Sequence, residues 1–151
     1  KLPVDIGAIK RGLRLVENPG RFQVLPGRPL TGLDGGHNPH AARALRRSLI
    51  NLAFAQKRTA VFSMLSDKDI DGVLEIVKDQ FDEWYIAPLD VPRGMTAEAL
   101  QAKLEAQNIE NIQTFTSVRE AYRAALAKAG ENDRIVVFGS FHTVADVMAA
   151  L

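Results

Sequence analysis

Five times along this chain a short apolar run of strand length gives way to a turn and then to a stretch with helical periodicity. Leu30 to Leu33 precedes a helix with Leu45, Leu49 and Leu52 on one face, and Thr59 to Leu65 leads through Asp67, read as an N-cap, to Ile70, Val73, Leu74 and Val77. Glu83 to Ala87 runs through a proline-rich loop to Thr96 and a helix buried through Leu100 and Leu104. Ile112 to Phe115 precedes a Ser-x-x-Glu capping box, Ser117 to Glu120, and a helix facing inward with Val118, Ala121, Tyr122, Ala125 and Leu126. "RIVVFGS" ends the series, followed by Val144, Val147, Met148 and Leu151. A strand separated from the next by a helix is built for parallel pairing, so the sheet is expected to be mostly parallel, with helices on both faces. Right-handed crossovers then bring every strand's carboxyl end, and the loop after it, to one edge of the sheet, where doubly wound folds bind their ligands.

Ahead of the repeats, "RFQVL" (Arg21 to Leu25) reads as a further strand closed by Pro26 and Gly27. Val4 to Val16, with Ile6, Ile9 and Leu13, reads as a short helix or an interdomain linker. A length of 151 residues fits one domain with a single core. With 19 basic and 18 acidic residues the net charge is +1, which gives no global field for nucleic acid. The absence of cysteine excludes disulfides and thiolate metal sites, and no apolar run is long enough to span a bilayer. A cytoplasmic monomer without nucleic-acid or membrane partners is expected. The first residue is Lys1 rather than Met, which fits a piece of a longer protein.

Three turns on the ligand-binding edge carry polar chemistry: "LDGGHNPH", "SMLSDKD" and "FGSFHT". In the first, Asn38 suits an N-cap and Pro39 the first helical position, so the fold alone accounts for both. Gly35 and Gly36 permit a sharp turn or a close approach to a ligand. Asp34 and His37 are what the fold does not require, although an aspartate at a strand end often merely shapes a turn. His37 and His40 are unsuited to a shared metal, because Pro39 lies between them and no third ligand is evident, so no metal site is expected. In "DKD", Asp67 is expected to cap and Asp69 to complement the helix dipole. Ser140 reads equally as a cap or a ligand contact, His142 as a surface or helix-start residue, and Arg21 as a turn residue or a phosphate clamp. No phosphate-binding Gly-x-x-x-x-Gly-Lys-Ser/Thr loop, Gly-x-Gly-x-x-Gly fingerprint or Gly-x-Ser-x-Gly elbow occurs, so neither a complete ATPase, a dinucleotide dehydrogenase nor a serine hydrolase of that type is encoded.

The segments "PGRFQVL", "LDGGHNPHAARAL", "SMLSDKDIDGVL", "VPRGMTAEAL" and "DRIVVFGSFHTVADV" together resemble, in order and from about Pro19 to the end, the C-terminal domain of bacterial folylpolyglutamate and dihydrofolate synthetases, which belong with the Mur ligases. With that resemblance the expected fold is a single Rossmann-like three-layer α/β domain, its six-stranded sheet mostly parallel with an antiparallel first strand. Residues 1–18 are expected to be a linker or helix from a preceding domain and 19–151 the glutamate ligase domain, with the N-terminal ATPase domain of the same polypeptide outside this chain. The resemblance implies an ATP-dependent ligase in which a pteroate or folate carboxylate is phosphorylated and then attacked by the amine of L-glutamate. ATP and Mg2+ are the implied cofactors, the metal held mainly by the N-terminal domain.

By motif, the resemblance assigns Arg21 to the ATP phosphates and Asp34 to the ribose, and His37 and Ser140 to the incoming glutamate or the reacting phosphate. Gly36 departs from the family's usual alanine, and His142 stands where the family often has tyrosine. Two other readings compete: a Mur-type peptide ligase acting on a muropeptide acceptor, and a stand-alone module binding a nucleotide or anion at the "GGHNP" helix start.

Overall fold

The computed structural model describes residues 22–25, 27, 29–52 and 55–151. Six strands, β1 (Phe22–Leu25), β2 (Leu30–Asp34), β3 (Arg58–Phe62), β4 (Glu83–Ile86), β5 (Ile112–Thr114) and β6 (Arg134–Phe138), form one sheet in the order β1-β2-β6-β3-β4-β5. All neighbours pair in parallel except β1 with β2, which are antiparallel. The short turn between β1 and β2 permits only the antiparallel arrangement, whereas each later pair is separated by a helix. The expected topology is the one found. The reading of residues 1–18, the helix over Val4 to Val16 and the side chain of Arg21 lie outside the described residues.

The inner strands are apolar on both sides because each side meets a helical layer. Val61, Tyr85, Ile135 and Val137 pack with Val118, Ala121, Tyr122 and Ala125 of α4 (Val118–Lys128) and Val144, Val147 and Met148 of α5 (Phe141–Ala149). Their alternates Ala60, Phe62, Trp84, Ile86, Val136 and Phe138 pack with α1 (Pro39–Asn51), α2 (Ile70–Val77) and α3 (Ala97–Ala106). Phe62, Phe81, Trp84 and Phe138 form an aromatic cluster on this second side, with ring centroids 5.0–5.9 Å apart. Gly32 leaves the space that the Phe22 ring occupies, since a Cβ there would lie 2.6 Å from it. That fit seats the antiparallel strand on the sheet. No helix among the described residues is long and apolar enough to cross a membrane.

The helix starts follow the sequence with two corrections, and one helix end needs a third. Asn38 caps α1 through Ala41, Thr96 caps α3 through Ala99, and Ser117 caps α4 through Glu120, each by a side-chain oxygen accepting a backbone amide. The reciprocal half of the capping box is not made, because the Glu120 carboxylate accepts the Thr116 hydroxyl instead. The cap of α2 is Asp69, whose carboxylate accepts the Gly72 amide, and not Asp67, which pairs with Arg93. Leu151 lies beyond the end of α5 and is exposed rather than on its buried stripe.

Register determines where the ligand edge can be. Asp34 pairs with Phe138, Phe138 with Phe62, Phe62 with Ile86 and Ile86 with Thr114, so five strands finish level. After β2, β3 and β4 the chain enters helices on one face, and after β5 and β6 it enters helices on the other. β6 lies between β2 and β3, so its carboxyl end is a topological switch point flanked by loops that leave in opposite directions.

Candidate functional site

Asp34 is the last residue of β2 and is 1% exposed. Its Oδ1 accepts the Gly36 amide at 2.8 Å, which folds the turn back on itself, while its Oδ2 is buried and has no hydrogen-bond partner. Burial pushes the carboxyl up to about 6, against the Gly36 amide, which draws it down. A half-satisfied buried carboxylate is costly for the fold and typical of a group whose second partner is a ligand. Neither Gly35 nor Gly36 takes a positive φ; among the described glycines, Gly27 and Gly139 do. The hairpin-like Asp34–Gly36 contact, rather than left-handed backbone, turns the chain here.

His37, half-buried, follows directly, and its Nδ1 is another buried atom without a hydrogen-bond partner. At the start of α1, Pro39 has no amide to offer and the Ala41 amide is taken by Asn38 Oδ1, so the helix start is largely self-satisfied. What the turn presents is therefore side-chain chemistry. His40, the next histidine, is exposed, and among the described residues no three His, Asp or Glu side chains converge as a metal ion would need.

Ser140 is reached from the neighbouring strand. It follows β6 by two residues, with Asp34 paired to Phe138 across the sheet. Its side chain is 2% exposed and caps α5, its Oγ accepting the His142 amide at 3.0 Å. The cap reading is thus realised, and the hydroxyl hydrogen is still available for a ligand, because a hydroxyl can accept and donate at once. His142 is exposed on the first turn of α5.

The sequence marks the turn "SMLSDKD" after the third strand of the switch point, but its first residue, Ser63, was given no role. Ser63 follows β3, is fully buried, and its Oγ has no hydrogen-bond partner. Its carbonyl oxygen accepts the buried Thr143 hydroxyl at 2.8 Å. Gly139 has a φ of 114°, and a Cβ there would lie 2.3 Å from the Ser63 oxygen. A lone serine inside the apolar run "VFSML" was the available signal; the contacts of Gly139 and Thr143 are tertiary and left no trace in periodicity. Asp34 Oδ2, His37 Nδ1 and Ser63 Oγ, three buried atoms without hydrogen bonds, thus all lie around the carboxyl end of β6. A hollow of about 500 Å3 opens elsewhere, at the amino ends of β4 and β5 between Phe81, Trp84 and Asn108, away from these residues.

The loops over this edge brace each other. Leu65 and Gly94 form an isolated antiparallel bridge, the Ser66 amide donates to the Arg93 carbonyl at 2.7 Å, and Asp67 pairs with Arg93. The "SDKD" loop is thereby tied to "VPRGM" from the next crossover.

Residues 20–141 match the family described as Mur ligase, glutamate ligase domain. The dihydrofolate synthase/folylpolyglutamate synthase of Escherichia coli is 43% identical over 150 residues, a match that takes in 99% of this chain and 34% of that protein. Among solved structures, E. coli FolC in complex with DHPP and ADP superposes with a TM-score of 0.80 at 44% identity, covering 98% of this chain and 34% of that one. A bifunctional folylpolyglutamate synthase/dihydrofolate synthase with Mn, AMPPNP and L-glutamate bound gives 0.78 at 46% identity, covering 99% and 36%. The chain spans about a third of the length of these relatives.

Proposed function

This chain belongs to the Mur ligase, glutamate ligase domain family, and from that premise we propose that residues 19–151 are the C-terminal domain of an ATP-dependent ligase that adds L-glutamate to dihydropteroate, to folylpolyglutamate or to both. The partner is an N-terminal ATPase domain of the same polypeptide, which carries most of the Mg2+ and folate contacts. ATP, when bound, would supply its γ-phosphoryl group to the acceptor carboxylate with release of ADP; the glutamate amine would then displace phosphate from the acyl carbon and lose a proton, leaving the amide bond.

The residues of this chain serve that chemistry by binding and orientation. Asp34, with one oxygen held by Gly36 and the other unpaired, is an acceptor for a ribose hydroxyl. Such a contact offsets the cost of burying it. Arg21 is assigned to the phosphates, where a guanidinium neutralises developing charge. His37 and the Ser140 hydroxyl, on adjacent strand ends, hold the incoming glutamate so that its amine faces the acyl carbon. Domain closure brings the two halves together and excludes water, and the isolated domain is inactive.

The observation that carries this reading is the pair of partnerless polar atoms, Asp34 Oδ2 and His37 Nδ1, on one turn at the switch point. In the full-length polypeptide, Arg21→Ala and Asp34→Ala are expected to weaken ATP use, and His37→Ala and Ser140→Ala to raise the glutamate requirement. Wild-type kinetics in all four variants would sink the proposal. Turnover with UDP-muramyl acceptors in place of dihydropteroate would keep the ligase chemistry and overturn the folate assignment.

A further inference from the structure

Thr143 is the third residue of α5, too early in the helix for its hydroxyl to turn back onto a carbonyl of the helix itself. The Thr143 hydroxyl, fully buried, donates to the carbonyl oxygen of Ser63, 80 residues away at the end of β3. Around that same oxygen the chain leaves no slack: Gly139 approaches so closely that a Cβ would be 2.3 Å from it and 2.9–3.0 Å from side-chain carbons of Phe62 and Met64. One backbone oxygen just beyond β3 is thus approached closely by Gly139 and bonded by Thr143 from the first turn of α5. Ser140, the residue between these two constraints, has its Oγ held as acceptor of the His142 amide, which leaves its hydroxyl hydrogen to donate.

We propose that Thr143 is a positioning residue for the ligand site: its bond to the Ser63 carbonyl latches the start of α5 to the end of β3 and sets where Ser140 presents its hydroxyl. The inference rests on the reading that Ser140 contacts glutamate. Threonine is suited to the task because its methyl group fills the buried site while its hydroxyl makes the cross-link, so the two contributions can be separated by substitution. Thr143→Val keeps the methyl packing and removes the bond; Thr143→Ser keeps the bond and removes a methyl group.

Two measurements on the full-length polypeptide test the latch. In hydrogen exchange, the amides of Phe141 to Val144 are expected to exchange about tenfold faster in Thr143→Val than in Thr143→Ser. In steady-state kinetics, Thr143→Val is expected to raise the glutamate KM about tenfold with the ATP KM within about twofold, and Thr143→Ser to stay within about twofold of wild type in both. Adding Thr143→Val to Ser140→Ala is expected to raise the glutamate KM little further, because the two act on one contact. Equal exchange in the valine and serine variants overturns the latch. Full additivity with Ser140→Ala overturns its action through Ser140. If Ser140→Ala alone leaves the glutamate KM unchanged, it is the glutamate reading that falls, and the exchange measurement still decides whether the latch exists.

Discussion

The two ends of this sheet treat their polar groups in opposite ways. At the amino ends of the strands, charges are bound to one another and to backbone. Arg58 donates to Gln80 Oε1 at 2.8 Å and to the Leu49 carbonyl at 2.9 Å, and its amide to Asp82. Arg46 clasps Asp79 and the Ile76 carbonyl, and Glu83 lies between Lys57 and Lys128. At the carboxyl ends, Asp34, His37 and Ser63 keep buried atoms without hydrogen bonds; the comparable atom at the other end, Arg134 Nε, belongs to a side chain that is otherwise engaged. One end is braced by ion pairs; the other is braced through backbone and loops, at the Ser63 carbonyl and at Asp67–Arg93, and holds unpaired polar groups in place for something to bind. Charge pairing and ligand chemistry are therefore expected to separate along the strand direction, with the backbone clamp at the carboxyl end offsetting the cost of its unpaired groups.

The sharpest way to break that contrast is through two glycines. Gly139→Ala at the carboxyl end combines a φ of 114° with a Cβ 2.3 Å from the Ser63 oxygen, and about 3 kcal/mol of destabilisation is expected. Gly130→Ala, on the loop into β6 at the opposite end, meets only Asp133 Oδ2 at 3.6 Å and keeps its amide bond to that carboxylate. It is expected to be neutral or to stabilise by about 0.5 kcal/mol. Urea denaturation of both variants measures the difference, and equal midpoints would mean that β6 is not clamped more tightly at its carboxyl end.

A second contrast is in the sign of the pH dependence. Asp34 has its carboxyl raised from 3.8 to about 6 by burial, so its contribution is complete while the group is protonated and is lost as pH rises from about 4 through about 6. Because the side chain is only 1% exposed, the loss is as large as about 3 kcal/mol. Asp34→Asn, which does not ionise, is expected to gain on the wild type by up to that amount between pH 4 and pH 7 while, in the full-length polypeptide, losing the proposed ATP-dependent turnover. Denaturation midpoints for the two proteins that run parallel over this range would show that Asp34 is not the strained group described.

Much of this molecule can be read from periodicity and caps. Asn38 with Pro39, Thr96 and Ser117 mark three helix starts because each capping oxygen acts within three residues of its own position, a distance the sequence displays directly. Asp67 and Asp69 were not separable on those grounds. Both stand ahead of α2, and the choice is made by Arg93, 26 residues away, which draws Asp67 off. The site divides along the same line. Asp34 and His37 stood out because no helix cap or apolar stripe asks for them, although Asp34 also shapes its turn through the Gly36 amide. Ser63, Gly139 and Thr143 could be recognised only once β3 and β6 lay side by side, since their shared contact spans about half the chain.

The smallest expected effect tests the braced end by itself. Burial alone would raise the Glu83 carboxyl, but the Lys128 hydrogen bond and the charges of Lys57 and Lys128 outweigh it and hold the group below its ordinary value. The sign is then opposite to that of Asp34: the stabilisation is present above the unfolded value of 4.5 and disappears as pH falls through the lower folded one. Glu83 is 16% exposed, yet both lysines are substantially solvated, so water screens the attraction. Glu83→Gln is accordingly expected to cost about 0.5–1 kcal/mol at pH 7, less in high salt, and nothing at low pH where the wild-type carboxyl is protonated. The proposed turnover of the full-length polypeptide should be untouched, because Glu83 begins β4 at the end of the sheet remote from Asp34 and Ser140. A Glu83→Gln variant whose stability matched wild type at pH 7 while its glutamate KM rose would reverse the division of labour between the two ends.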